Sequence, residues 1–299
     1  MSVFTIKGVI PPMITPFRQD GSLDLAAHQA NLSRWNETDL AGYLVLGSNS
    51  EAAYLNEEEK IALVETTVNY ADKDRLIMVG SGMESTRETI RLTNRLAKVG
   101  AQAALVLTPN YYGDQMGEDA QVRFFTDLAD ASDIPILIYN VTKFTHINIS
   151  PKAVCQLAQH PNIIGMKDSS GNIPQLISFQ RMIDPEEFNL LVGTASAWYP
   201  ALDLGIQGAI MALANCAPEA CIQIQNLFEQ GDRAGAQALY RKVFPVNHAV
   251  TARYGVAGLK YACLLLGYQP GHVRRPLLDL SEADKTAIRH ILLEAGLLE

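Results

Sequence analysis

Cysteine is scarce in this chain: 4 thiols in 299 residues, Cys155, Cys216, Cys221 and Cys263, each standing singly inside an apolar, periodic segment. With no C-x-x-C pair there is no zinc or dithiol motif to read, and thiols buried as small hydrophobes are expected. The 6 histidines show no ligand spacing and no Ser/His/Asp order stands out, so metal-dependent and serine-hydrolase chemistry are both disfavoured. Basic charge is in deficit, with 24 Lys and Arg against 32 Asp and Glu and a net charge of -8. The acids are scattered apart from short clusters such as Glu57-Glu58-Glu59, a pattern that favours solubility and argues against nucleic acid as a partner. No apolar run is long enough to span a bilayer. The opening residues MSVFTIKGVIPP have neither the basic start and apolar core of a secretory leader nor an Arg-rich amphipathic pattern. A cytoplasmic protein with no membrane association is the expectation.

What the chain does have is rhythm. Apolar runs of strand length recur at 8–15, 42–47, 76–82, 103–109, 135–141, 163–169, 189–194 and 208–213, several rich in Val, Ile and Leu, as parallel strands buried on both faces require. Amphipathic helical patterns lie between them, clearest at 56–71, 86–99 and 119–131. Helix-start signals agree with this parsing. Asn56 stands three residues before Glu59, Ser85-Thr86 precedes Arg87-Glu88, and Ser150-Pro151 opens the segment that carries Cys155.

Eight alternations of strand and helix imply an α/β fold of the (β/α)8 TIM-barrel type. The alternative, an open doubly wound sheet, wants a Gly-rich phosphate turn after the first strand, where this chain has Thr15-Pro16-Phe17. From Pro218 to Glu299 the pattern is helical only, with breaks near Gly231, Gly255 and Gly267-Tyr268. That is more helix than barrel closure needs. The expected organisation is a barrel over 1–230 carrying the active site and a helical appendage over 231–299 packed on it. No Pro/Ser-rich linker separates the two.

In such a barrel the reactive groups sit at the C-terminal ends of the strands and in the loops that follow. The polar residues there are Thr15, the stretch Gly47-Ser48-Asn49-Ser50-Glu51, Ser81, Thr108 to Tyr112, Tyr139-Asn140, Lys167 to Ser170, Thr194 and Asn215. Lys167 is the most unusual, since it closes the apolar run Ile163-Ile164-Gly165-Met166. Strand alternation puts Gly165, Lys167 and Ser169 on one face, with Gly165 leaving space beside the lysine. If that face looks into the barrel, desolvation lowers the amine pKa and supplies the neutral amine that attack on a ketone carbon needs. The same position also suits a lysine that snorkels outward or pairs with Asp168.

Tyr139 ends the fifth strand and would share the rim with Lys167, where it can relay a proton or simply cap the core with its hydroxyl on backbone. Tyr111 and Tyr112 carry the same two readings. The loop from Gly47 to Glu51 can offer consecutive N–H groups, two hydroxyls and an amide to a carboxylate, although Gly, Ser and Asn are common in any such loop.

Together these residues resemble the dihydrodipicolinate synthase and N-acetylneuraminate lyase superfamily of class I aldolases. Gly47-Ser48-Asn49-Ser50-Glu51 is similar to that family's G-[ST]-[TN]-G-E loop, Tyr139-Asn140-Val141 to its Y-N-V-P, and Gly165-Met166-Lys167-Asp168 to its G-x-K-[DE]. Within the superfamily, the stretches 80–86, 159–169 and 249–255 are most similar to the 4-hydroxy-2-oxoglutarate aldolases, and the 2-keto-3-deoxy sugar-acid aldolases share much of this.

The resemblance implies that Lys167 forms an imine with pyruvate, that Tyr139 relays protons with Ser48 and Tyr111, and that Ser48 and Asn49 hold the 2-oxo acid carboxylate. It implies Gly193, Ile210 and Ser169 as pocket residues, no cofactor or metal, and a homotetramer in which Tyr111 reaches a neighbouring site. The expected reaction is cleavage of a 4-hydroxy-2-oxo acid to pyruvate and an aldehyde. A dihydrodipicolinate synthase, or a hydratase-aldolase or dehydratase of the same superfamily, is the alternative. The chain departs from the family pattern at Ser50, Asp114 and Thr142-Lys143-Phe144-Thr145-His146. Phe144 stands where the synthases place an arginine for the second substrate's carboxylate, which assigns Phe144 to the half of the pocket that chooses the aldehyde.

Overall fold

A computed structural model describes residues 5–299. Residues 1–4, the start of the segment read above for targeting signals, lie outside the described residues. Eight parallel strands form one sheet: β1 Gly8–Ile10, β2 Gly42–Val45, β3 Leu76–Gly80, β4 Ala103–Leu107, β5 Ile136–Asn140, β6 Ile163–Asp168, β7 Asn189–Val192 and β8 Gly208–Ile210. From β2 to β8 each strand pairs with the next in sequence, and β1 pairs with β8 through Gly8–Gly208, Val9–Ala209 and Ile10–Ile210. The seam between β1 and β2 closes through Ala41 N–H to Val9 O at 2.9 Å, Leu44 N–H to Pro11 O at 3.0 Å and Met13 N–H to Leu44 O at 2.9 Å. The first strand is shorter than its apolar run because Pro11 and Pro12 have no N–H to give to a ladder.

Helices wrap the barrel: α1 Leu25–Asn36, α2 Glu57–Tyr70, α3 Thr86–Lys98, α4 Glu118–Ala131, the single turn α5 Thr142–Thr145, α6 Pro151–Leu157, α7 Ile173–Gln180, α8 Trp198–Asp203 and α9 Pro218–Glu229. Their starts are fixed by the capping residues read from sequence. Asn56 and Glu59 form a reciprocal box at 2.9 and 3.0 Å, Ser85 Oγ accepts Glu88 N–H, and Ser150 Oγ accepts Ala153 N–H with Pro151 in the first turn. Each such cap is worth about 1 kcal/mol.

Strand alternation produces two cores. One fills the barrel with Ile6, Ile10, Leu44, Met78, Leu105, Leu137, Tyr139, Leu191 and Ile210, and the larger one lies between sheet and helices. Cys216, Cys221 and Cys263 are free and buried, and Cys155 is free and half-buried. Among the described residues, no helix is long and apolar enough to cross a membrane.

Beyond α9, the left-handed Gly231 breaks the chain before α10 Arg233–His248, which runs into a π-helical turn, Ala249–Arg253, followed by α11 Gly255–Leu265 and α12 Glu282–Glu294. This appendage reaches the C-terminal rim at several points. The π turn meets α5 where Lys143 Nζ donates to Thr251 O at 2.9 Å, and Asn247 of α10 donates to Ser196 Oγ, after β7, at 2.8 Å.

Candidate active site

Lys167 lies near the end of β6, in register with Tyr139 on β5 and Leu191 on β7. Both partners belong to the core inside the barrel, so the lysine points inward. Two observations decide between the readings open from sequence. The side chain is 3% exposed and therefore does not snorkel out. Asp168, on the opposite face, is satisfied by four other donors: Asn140 Nδ2 at 2.7 Å, Gln175 Nε2 at 2.8 Å, and the N–H and hydroxyl of Ser170. The amine thus has no carboxylate partner among the described residues. Burial lowers its pKa from the usual value of 10.5, opposed by its contact with Tyr139.

Tyr139 is itself buried, with Lys167 Nζ 4.4 Å from its ring centroid. Its place one strand away sets a proton-carrying side chain beside the amine. Gly193, just after β7, leaves the space that the lysine uses. A Cβ there would overlap Ser169 Oγ and come within 2.9 Å of Lys167 Cε. The sequence reading gave that role to Gly165, and the structure corrects it. A Cβ on Gly165 would instead lie 2.5 Å from Asn189 O and 2.8 Å from Asn189 Cβ, so this glycine serves the close approach of β6 and β7. Ser169 Oγ is buried beside Gly193 with no hydrogen-bond partner among the described residues, leaving an unused donor and acceptor there. Ile210, fully buried on β8, belongs to the same interior core as Tyr139.

The loop after β2 is a 3-10 turn over Ser48–Ser50. Only part of it is available to a carboxylate. Ser50 is buried, with its hydroxyl donating to Met13 O at 2.5 Å and accepting Gly47 N–H at 3.1 Å, while Thr15 Oγ1 donates to Ser50 O. Ser50 N–H and Glu51 N–H close the turn onto Gly47 O and Ser48 O. That leaves the N–H groups of Ser48 and Asn49, with their half-buried side chains, as the donors the turn presents. Of the two hydroxyls expected from sequence, one is therefore structural.

Other rim residues separate in the same way. Asn215 is not a pocket residue: its amide accepts Ile14 N–H at 3.0 Å and donates to Pro12 O and Ala212 O, each at 3.0 Å, bolting β1 to the turn after β8. Ser81 is bound to Thr93 and Asn140 to Asp168 and Asn148. Tyr111 and Tyr112 stack edge-on at 5.0 Å and are 78% and 69% exposed, with Tyr111 N–H anchored to Glu84. No hydrogen bond joins Tyr111 to Ser48 or Tyr139 within the chain. Phe144 on α5 is 53% exposed, and His146 ends α5 in a left-handed conformation at φ 57°. Sequence reasoning missed Asn247 and Ser196, which meet behind the rim across the barrel–appendage boundary and gave no local signal.

Residues 5–295 match the model of the dihydrodipicolinate synthetase family. The chain belongs to that family. It is 34% identical over 292 residues to the 4-hydroxy-tetrahydrodipicolinate synthase of Methanoculleus marisnigri, covering 97% of this chain and 99% of that one. The synthase of Methanothrix thermoacetophila is 33% identical over 286 residues, covering 96% of each. Among solved structures, YagE, a prophage protein of this family from E. coli K12 in complex with pyruvate, superposes with a TM-score of 0.91 at 29% identity, covering 97% of this chain and 99% of that one. These relatives carry the synthase or family name, where the sequence motifs had pointed to the 4-hydroxy-2-oxoglutarate aldolases. Membership makes the protein a lyase of the class I, imine-forming type.

Proposed function

We propose that Lys167 forms an imine with C2 of pyruvate or a pyruvate-derived 2-oxo acid, and that the enzyme cleaves 4-hydroxy-2-oxo acids to pyruvate and an aldehyde. The observation that carries this reading is the inward, buried amine with no carboxylate partner and a lowered pKa. A neutral amine is the nucleophile that a ketone carbon requires.

In the proposed cycle Lys167 Nζ attacks C2, and the carbinolamine loses water to give the protonated imine. Tyr139 takes the proton of the C4 hydroxyl as the C3–C4 bond breaks. The bonding pair flows to the imine nitrogen, the aldehyde leaves, and the resulting enamine is protonated at C3 before water releases pyruvate. The imine nitrogen is the electron sink, so the cycle assigns no role to a metal or other cofactor. Ser48 and Asn49 N–H groups receive the carboxylate, Ser169 Oγ supplies a polar contact beside the lysine, and Gly193 and Ile210 shape the floor. The two exposed tyrosines after β4 fit a surface covered by a second subunit, and a homotetramer that lends Tyr111 to its neighbour is the assembly we favour.

A second reading, condensation by a 4-hydroxy-tetrahydrodipicolinate synthase, is favoured by the names of relatives 33–34% identical over nearly the whole chain. It needs a cation for the second substrate's carboxylate. Phe144 stands at the expected arginine position, and the adjacent Lys143 is engaged with Thr251 O. A hydratase-aldolase or dehydratase would share the imine and differ in product.

The test is borohydride reduction with pyruvate, read by intact mass. The wild-type chain gains the reduced adduct and Lys167→Ala does not; trapping on the alanine variant, or none on the wild type, overturns the imine assignment. Incubation with 4-hydroxy-2-oxoglutarate and, separately, with pyruvate plus aspartate semialdehyde then decides between cleavage and condensation by product.

A further inference from the structure

The appendage carries a cluster of buried charge that the proposed cycle does not use. Residues 271–274, between α11 and α12, run beside Phe17, with His272 N–H donating to Phe17 O at 2.9 Å. The segment ends on Glu51, which caps the 3-10 turn after β2. Arg274 N–H donates to Glu51 Oε2 at 2.7 Å, and Lys260 of α11 pairs with Glu51 Oε1 at 2.6 Å, both side chains of the pair being at most 4% exposed. Lys260 Nζ also donates to His272 O at 2.5 Å. The Arg274 guanidinium forks onto Glu59 with two bonds of 2.7 Å and reaches Gly21 O and Tyr54 O. Phe17 lies between the two cations, 4.6 Å from the Lys260 amine and 4.2 Å from the Arg274 guanidinium.

Glu51 needs this support for two reasons. Its backbone is left-handed at φ 54°, a region that a residue with a Cβ occupies only where its surroundings over-determine it. Its carboxylate is 1% exposed in the ion pair, and a buried charge stripped of its partner is strongly unfavourable. Glu51 N–H closes the 3-10 turn onto Ser48 O, so where Glu51 sits fixes where the N–H groups of Ser48 and Asn49 point.

We propose that Lys260 and Arg274 are positioning residues for the substrate carboxylate, acting through Glu51 to hold the turn that presents Ser48 and Asn49. The inference rests on the pyruvate reading above and gives the helical appendage a part in binding. Lys260 touches no reacting atom, so its loss weakens substrate capture and leaves imine chemistry at Lys167 intact.

The experiment titrates pyruvate in the borohydride assay on the full chain, reading adduct fraction by intact mass and folding by thermal melting. For Lys260→Met the half-saturating pyruvate concentration rises about tenfold, the scale of one misaligned charge-assisted bond, with the plateau adduct retained. Lys260→Arg returns it to within about twofold, because the charge is restored. If Lys260→Met does not fold, Lys260→Gln, which keeps a donor toward Glu51 but loses the charge, carries the test with a rise of about threefold. A wild-type half-saturation in the variant that folds overturns the proposal, whatever happens to the melting temperature. So does a lost plateau at unchanged half-saturation, which would place the residue in the chemistry. No adduct on the wild-type chain overturns the imine reading itself and the positioning role with it; a wild-type adduct with an insensitive variant removes only the latter.

Discussion

The two halves of the site are built differently. In the proposed cycle the covalent half stands on strands, with Lys167 on β6, Tyr139 on β5, Gly193 directly after β7 and Ile210 on β8, while the carboxylate is received on the turn after β2 by Ser48 and Asn49. The far half stands on connections, with Phe144 on a single helical turn, His146 in a left-handed conformation, and a π turn contributed by the appendage. Rigid elements hold a reacting atom within the fraction of an ångström that covalent chemistry requires. Loops tolerate exchange. On the proposed reading, the imine chemistry is set by the barrel, and the choice of second substrate falls to parts that can change without disturbing it.

Breaking the strand-borne half should have the largest effect. Tyr139→Phe is expected to lower cleavage turnover by about 10²–10⁴-fold, the range for loss of a general acid-base group, while pyruvate remains trappable on Lys167. Steady-state kinetics beside intact-mass trapping checks this, and unchanged turnover removes Tyr139 from the cycle. Next comes Gly193→Ala. Its new Cβ must displace Ser169 Oγ and crowd Lys167 Cε, so kcat/KM should fall by up to about 10²-fold through a shift of the amine. Gly165→Ala is a useful contrast, because its Cβ strikes Asn189 on the neighbouring strand and should appear chiefly as lost thermal stability.

The smallest effect on the shared chemistry is expected from the connection-borne half. Phe144→Arg should change pyruvate half-saturation by less than about twofold, since a half-exposed rim side chain contributes little to a buried site, yet shift the preferred second substrate toward one bearing a carboxylate. Initial rates across neutral and acidic aldehydes measure it. A large change in pyruvate binding would collapse the distinction between the halves.

How far the sequence could be read follows the same line. The barrel was legible because strand length, β-branched content and helix caps are local signals, and eight of them in order leave few folds. Lys167 was visible as a charge at the end of an apolar run, and Tyr139 as the residue that ends the neighbouring strand. What stayed hidden depends on contacts between distant segments. Whether Gly165 or Gly193 clears the lysine's space is decided by which neighbouring backbone approaches, which no single strand records. Asn215 and Ser50 have the composition of ligand-binding residues, but each is consumed in tying strand ends together. The partnership of Glu51 with Lys260 and Arg274 joins the second strand's loop to the last quarter of the chain, and nothing near any of the three marks it.

The contact between Lys143 and the π turn bears on how such a protein diversifies. The contact joins two stretches of gene separated by more than a third of its length, and neither carries a residue of the proposed imine machinery. After duplication, one copy can therefore drift at either stretch and explore new aldehyde partners while the covalent step is inherited intact.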